Sequence, residues 1–124
     1  MRTTFALAAL AGTLAAAPAS AEAPLSGEEI RSLVSGRSAQ WVRGDGSYSG
    51  SITYHTDGRL SSRVTVMGAA MEVSGTWSIE GDRFCRTIKL DPRPSRCQSV
   101  VRSSGKTYRF LESDGSLATT TTFQ

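Results

Sequence analysis

Of the 124 residues, those from Glu22 to Gln124 have the length of one domain, able to bury roughly 65% of its unfolded surface. The chain's formal net charge of +3 is unremarkable as a total, and two cysteines with one histidine are too poor a donor set for structural zinc. No metal and no cofactor is expected. The distribution of charge is less ordinary. Eight basic residues and a single acid, Asp91, lie between Arg83 and Arg109, whereas the remainder from Glu22 onward carries five basic and ten acidic residues.

The first 21 residues read as a secretory leader. Arg2 gives the positive start, an apolar run extends from Phe5 to Ala17, and Ala19-Ser20-Ala21 supplies small residues at a cleavage site. Cleavage is expected after Ala21, with Ala23 as the alternative. The apolar run is too short for a comfortable membrane span, and no later segment is apolar enough to be one. Residues 22–124 are therefore expected as one exported, soluble domain, most simply in a bacterial periplasm. In that oxidising compartment Cys85 and Cys97 are expected to form a disulfide. Their spacing is wrong for a redox Cys-x-x-Cys, and closing a loop of about 13 residues contributes roughly 3 kcal/mol in the chain-entropy view.

One helix follows the leader. Ser26 is its N-cap, Glu29 completes a capping box, Leu25, Ile30, Leu33 and Val34 form an apolar stripe, and Gly36 ends it. Beyond it, turn signals recur about every ten residues: Gly44-Asp45-Gly46, Thr56-Asp57-Gly58, Gly68, Gly81-Asp82, Asp91-Pro92-Arg93-Pro94, Ser104-Gly105 and Asp114-Gly115. They divide the chain into strand candidates at about 37–43, 47–55, 59–67, 70–80, 83–90, 96–103, 106–113 and 116–123.

Short connections favour an antiparallel meander. Alternation agrees: Met71, Val73, Gly75, Trp77 and Ile79 share one face of the fourth candidate, with Glu72, Ser74, Thr76, Ser78 and Glu80 opposite. Gly50 and Gly75 fall on inward faces, where a strongly bent strand leaves no room for a side chain. Thr119–Thr122 reads as the last strand, pairing with the first, with Leu117 and Phe123 on one face. The expected fold is mainly β: a small antiparallel up-and-down barrel of about eight strands with the helix on its side or across one end. A two-sheet sandwich is the alternative.

The stretch "YHTDGRL…GTWSIEGDRFC…C…GKTYRFLESDG", covering about 50–115, resembles small secreted domains of Gram-negative bacteria of unknown function. That resemblance implies a lipocalin-like barrel and a periplasmic address, and brings no catalytic residues. Lipocalins themselves carry Gly-x-Trp near the start of their barrel, whereas Gly75-Thr76-Trp77 stands in the middle here. Periplasmic inhibitors of metalloproteases and lysozymes share the plan, but their inhibitory segments find no residue-by-residue counterpart.

Candidate chemistry is sparse. His55 falls on a polar strand end and would need Asp57 to act as a base. No serine sits in a Gly-x-Ser-x-Gly or Ser-x-x-Lys pattern, and Gly44-Asp45-Gly46 lacks the lysine of a phosphate loop. Asp45, Asp57 and Asp114 are expected to shape turns rather than hold calcium. Catalysis is not expected.

Arg86 is the sharper question, because it shares a face with Phe84, Ile88 and Leu90. A buried guanidinium needs a partner: Glu112 on the Tyr108/Phe110 face, or water at the barrel rim. Alternatively Arg86 closes the polar end of a cavity lined by Trp77, Tyr108 and Phe110, and holds a ligand carboxylate or phosphate. A filled interior is favoured over an open one, with Trp41, Tyr48, Tyr54, Trp77, Phe84, Tyr108 and Phe110 as the filling. Arg93, Arg96, Arg102 and Arg109 would dock an anionic envelope component if they met in one patch. Two binding roles follow: a small amphipathic or anionic ligand inside, or a protein partner at the loops, as in an enzyme inhibitor or assembly factor. Nucleic acid does not fit an exported protein.

Overall fold

The computed structural model describes residues 23–89 and 96–124. The expected leader, Leu90 and the Asp91–Pro94 turn lie outside the described residues. Helix α1 spans Gly27–Val34, and eight strands follow: β1 Ser38–Arg43, β2 Ser49–Tyr54, β3 Arg59–Val66, β4 Ala69–Glu80, β5 Arg83–Ile88, β6 Arg96–Ser104, β7 Thr107–Leu111 and β8 Leu117–Phe123. Each strand pairs antiparallel with its sequence neighbours, and β8 pairs with β1 to close the barrel. The expected barrel is the fold, and the sandwich alternative is not.

The threonine run performs the closure. Thr119, Thr120, Thr121 and Thr122 lie opposite Arg43, Val42, Trp41 and Gln40. β-Branched side chains suit this pleated surface, and a closed ladder removes both sheet edges.

Helix α1 starts as its sequence demands. Ser26 accepts the Glu29 N–H at 3.2 Å, and Glu29 returns a carboxylate to the Ser26 N–H at 2.8 Å. A second tie was not evident in sequence: the Gly27 N–H donates to Asp82 at 2.8 Å, fixing the helix to the β4–β5 turn. The approach is so close that a Cβ on Gly27 would meet the Gly81 carbonyl oxygen at 2.1 Å. Ile30 and Val34 are completely buried and join the core beneath the barrel end. The helix therefore lies across that end as a plug.

The core gathers around one ring. Phe84 meets Tyr54 and Phe110 edge-on, at 5.5 and 5.4 Å between centroids, and stacks with Trp77 at 6.3 Å. Phe123 stacks with Tyr54 at 6.1 Å and takes Tyr108 edge-on at 5.8 Å. The Trp77 indole N–H donates to the His55 carbonyl at 2.9 Å, so its one polar atom is satisfied.

Strand bending depends on glycine where the alternation placed it. A Cβ on Gly75 would meet the Thr87 carbonyl oxygen at 2.0 Å, and one on Gly50 the Arg63 carbonyl oxygen at 2.2 Å. Cys85 and Cys97 are paired in register and joined by the expected disulfide. Among the described residues the β5–β6 seam has three register pairs, and the disulfide occupies the middle one. The bridge thus covalently holds the shortest ladder among the described residues. Glu80 lies beside both sulfurs, but a disulfide leaves no thiolate to hold a metal ion.

Three turns are built alike. Asp45, Asp57 and Asp114 each accept the backbone N–H two residues on, at 2.9, 3.1 and 2.9 Å. The Ser47 hydroxyl and N–H hold the Asp45 carboxyl below its ordinary 3.8, the Arg59 N–H does so for Asp57, and the Ser116 hydroxyl for Asp114.

Two outcomes are expected. Gly75→Ala lowers stability by about 1–3 kcal/mol through the enforced clash, read as a lower midpoint in urea unfolding. In a carboxyl-carbon NMR titration, Asp45, Asp57 and Asp114 show midpoints below 3.8. Their contribution to stability is complete above that value and disappears as pH falls through the folded midpoints.

Candidate functional site

The aromatic floor and the helix fill one half of the barrel, and the other half is hollow. A cavity of about 550 Å³ opens toward the end that carries the β1–β2, β3–β4 and β7–β8 turns. All eight strands contribute to its wall, so it is the barrel lumen. The expectation of a filled interior is corrected here. Tyr54, Phe84 and Phe110 form the floor, whereas Trp41 and Tyr48 stand in the upper wall. The rings of Tyr54, Phe84 and Phe110 are concentrated toward the helix end, and those of Trp41 and Tyr48 stand in the upper wall without filling the lumen.

The wall has two chemical halves. On the arc from β2 to β4 it is lined by Ile52, Val64, Met71 and Val73 with Ser62 as the one polar residue above the floor, and Ile88 of β5 continues it. On the arc from β5 through β8 to β1 it presents Arg86, Gln98, Arg96, Thr119, Thr121 and Arg43. The lumen is thus lined by three arginines and, among the described residues, by no acidic side chain. A second cavity of about 500 Å³ shares Arg43, Arg86 and Arg96 with the lumen and extends it at the mouth toward Glu112, Ser113 and Asp114.

Most polar groups in the wall are held. Trp41 donates its indole N–H to Ser62 at 3.2 Å, and Ser62 donates to the Ser51 carbonyl at 2.7 Å. Thr119 and Thr121 share a hydroxyl hydrogen bond of 3.0 Å. Arg43 lies over the Tyr48 ring at 5.5 Å and within 3.6 Å of Asp45 at the rim. Burial drives the Tyr54 phenol well above its ordinary value while the Arg86 cation pulls the other way. Tyr54 is therefore neutral, and the field of Arg86 reaches the floor. Gln98 is the exception. It is 2% exposed, and its Nε2 has no hydrogen-bond partner among the described residues.

Glu112, expected as a partner for Arg86, is ion-paired and hydrogen-bonded to Arg96. The register explains this pairing. Glu112 leaves β7 at the mouth beside β6, which bears Arg96, whereas Arg86 lies one strand further on, opposite Arg96 across the β5–β6 ladder.

The four residues singled out for ligand binding do not form one cluster. Arg86 and Phe110 line the lumen. Trp77 lies at the plugged end with the Arg31 guanidinium 5.9 Å from its ring, and Tyr108 borders a groove with Leu25 and Leu33 of the helix segment. The basic residues of 83–109 likewise separate. Arg96 turns to Glu112, Arg102 donates to the Gly105 carbonyl at 3.0 Å, Arg109 stands on the face of β7 opposite Phe110, and Arg93 lies outside the described residues.

His55 hydrogen-bonds the Ser61 hydroxyl at 3.0 Å at the surface, close to Asp57. Asp57 is taken by the backbone and side chain of Arg59 at 3.1 and 2.8 Å, and these residues line none of the cavities described above.

Gln98, Thr119 and Thr121 are not among the candidate ligand-binding residues, because polar residues on a strand read as its wet face, and Arg96 enters only as part of a docking patch with Arg93, Arg102 and Arg109. Parity held the signal: Cys97 pairs on the outer face, so Arg96, Gln98 and Val100 must point inward. The chain matches no protein-family model, no curated protein and no solved structure. The closed eight-strand antiparallel barrel is compatible with a lipocalin-like plan.

Removing the Glu112 carboxylate leaves the Arg96 guanidinium, 18% exposed, without that counter-charge. Glu112→Ala is expected to lower stability by roughly 1–3 kcal/mol in urea unfolding, and adding Arg96→Met to restore most of it.

Proposed function

We propose that this protein is a non-enzymatic binding protein that holds a small amphipathic anion in its barrel lumen. The observation that carries this reading is the two-sided wall: three arginines on one arc and an aliphatic surface on the other, around about 550 Å³. A volume of this order suits a small organic ligand, and a cavity with an apolar body and a few placed polar groups is the usual form of such a site. An anion gains charge-assisted hydrogen bonds from guanidinium groups in a partly desolvated wall, while its apolar part covers Ile52, Val64 and Val73.

In the same reading the protein is exported by its leader and works in the periplasm. The Cys85–Cys97 disulfide suits an oxidising compartment, and no helix among the described residues is long and apolar enough to cross a membrane.

The test uses 8-anilinonaphthalene-1-sulfonate, an amphipathic anion whose emission rises in apolar surroundings, together with the emission of Trp41 in the lumen wall. Saturable binding at one site is expected, with Arg86→Met weakening it about tenfold or more while the circular dichroism spectrum and thermal midpoint hold. Equal affinity in wild type and Arg86→Met overturns the reading. Native mass spectrometry of the protein isolated from its own host is expected to show a small-molecule adduct. A protein adduct would instead support a partner-binding module.

A further inference from the structure

Gln98 is an anomaly by the ordinary rules of packing. A side-chain amide that is 2% exposed should have its donors satisfied, because a buried donor without an acceptor costs free energy that an apolar side chain of the same shape would not. Nε2 has no such acceptor among the described residues. The residue is not placed at random. It pairs with Phe84, the centre of the floor, and lies one register step diagonal to Arg86 on the inner face of the β5–β6 ladder. Its terminal torsion is soft, so the amide turns from the wall toward the lumen at little cost.

Resting on the lumen reading above, we infer that Gln98 is a ligand-binding residue whose Nε2–H donates to one oxygen of a monocarboxylate, the Arg86 guanidinium taking the carboxylate from one inward step nearer the mouth. A primary amide and a guanidinium are both planar donors. On adjacent strands facing one cavity, they match the two coplanar oxygens of a carboxylate better than the tetrahedral oxygens of a phosphate. The polar groups lie along one side of the lumen rather than at its mouth alone. The apolar body therefore lies alongside the carboxylate, against Ile52, Val64 and Val73, and turns up toward Met71. The wall supplies Nε2 with no acceptor among the described residues, and a bound carboxylate supplies one.

The experiment is calorimetric titration of the disulfide-bonded protein with dodecanoate and dodecylphosphonate, on wild type, Gln98→Met and Arg86→Met. It is followed in ¹⁵N spectra by the Gln98 side-chain amide, which the Met variant identifies by its loss. Dodecanoate is expected to bind more tightly than dodecylphosphonate and to move the Gln98 amide signal. Its affinity is expected to fall about tenfold or more in Gln98→Met. The ligand-free thermal midpoint of Gln98→Met should equal or exceed that of wild type, which a merely structural glutamine would not allow. If dodecanoate binds, Arg86→Met weakens it and Gln98→Met does not, the inference is overturned and the lumen reading stands. Tighter binding of the phosphonate overturns the carboxylate assignment. If neither amphiphile binds, and the naphthalene sulfonate does not either, the lumen reading falls and this inference with it.

Discussion

Phe84 sets the geometry on which the rest of the barrel depends. Completely enclosed apart from 1% of its surface, it makes edge contacts to Tyr54 and Phe110 and stacks on Trp77, so rings from three other strands meet on one side chain. Burying a side chain of this size is worth several kcal/mol, and its truncation typically costs about 3–5 kcal/mol. The consequence is positional as well as energetic. Because these rings saturate the lower half of the barrel together with Ile30 and Val34 of the helix, the volume they fill is the volume a ligand cannot use. The lumen begins where the rings end.

Above that floor the same strands change character, and the change follows the order of strands around the barrel. β2, β3 and β4 turn mainly aliphatic residues inward, Ser62 apart, whereas β5, β6, β8 and β1 add arginine, glutamine and threonine. An interior with this many polar groups is less stable than an apolar one of the same shape, and each group needs a partner. The protein meets that demand by covalent and ionic means on the polar arc. The disulfide holds β5 to β6 directly behind Arg86, Arg96 and Gln98, and the Arg96–Glu112 pair joins β6 to the end of β7. The aliphatic arc has no disulfide, and its ion pair, Arg63 of β3 with Glu72 of β4 at 2.8 Å, is exposed. The arc relies on long hydrogen-bonded ladders, β3 to β4 being paired over Arg59–Val66.

Much of this was legible in the residue order. The capping box of Ser26 and Glu29, the turn glycines, the alternation through Met71–Ile79 and the two inward glycines each act locally, so their outcome does not depend on distant contacts. Closure by the threonine run followed from the need to remove two edges. What could not be read was how far side chains reach across a lumen. Trp41 and Tyr48 are aromatic and inward, but filling depends on the height at which each ring enters, and height is set by the register between strands rather than by composition. The partner of Glu112 shows the same limit: parity brought Glu112 and Arg86 to one face, and adjacency gave Glu112 to Arg96. Gly27 was passed over as a helix residue, although its lack of a side chain admits the Gly81 carbonyl and the Asp82 carboxylate.

The topology also determines when the protein can become a barrel. Every pairing but one joins neighbours in sequence, and those hairpins need only short loops to close. The exception joins Ala39 to Phe123, nearly the two ends of the described chain. A chain threaded out of a channel from its amino end therefore has β1 available early and must wait for β8. Until Thr119–Thr122 arrive, β1 and β7 stand as open strand edges, able to accept the wrong partner. The last strand to emerge is the one that ends the interval of greatest aggregation risk.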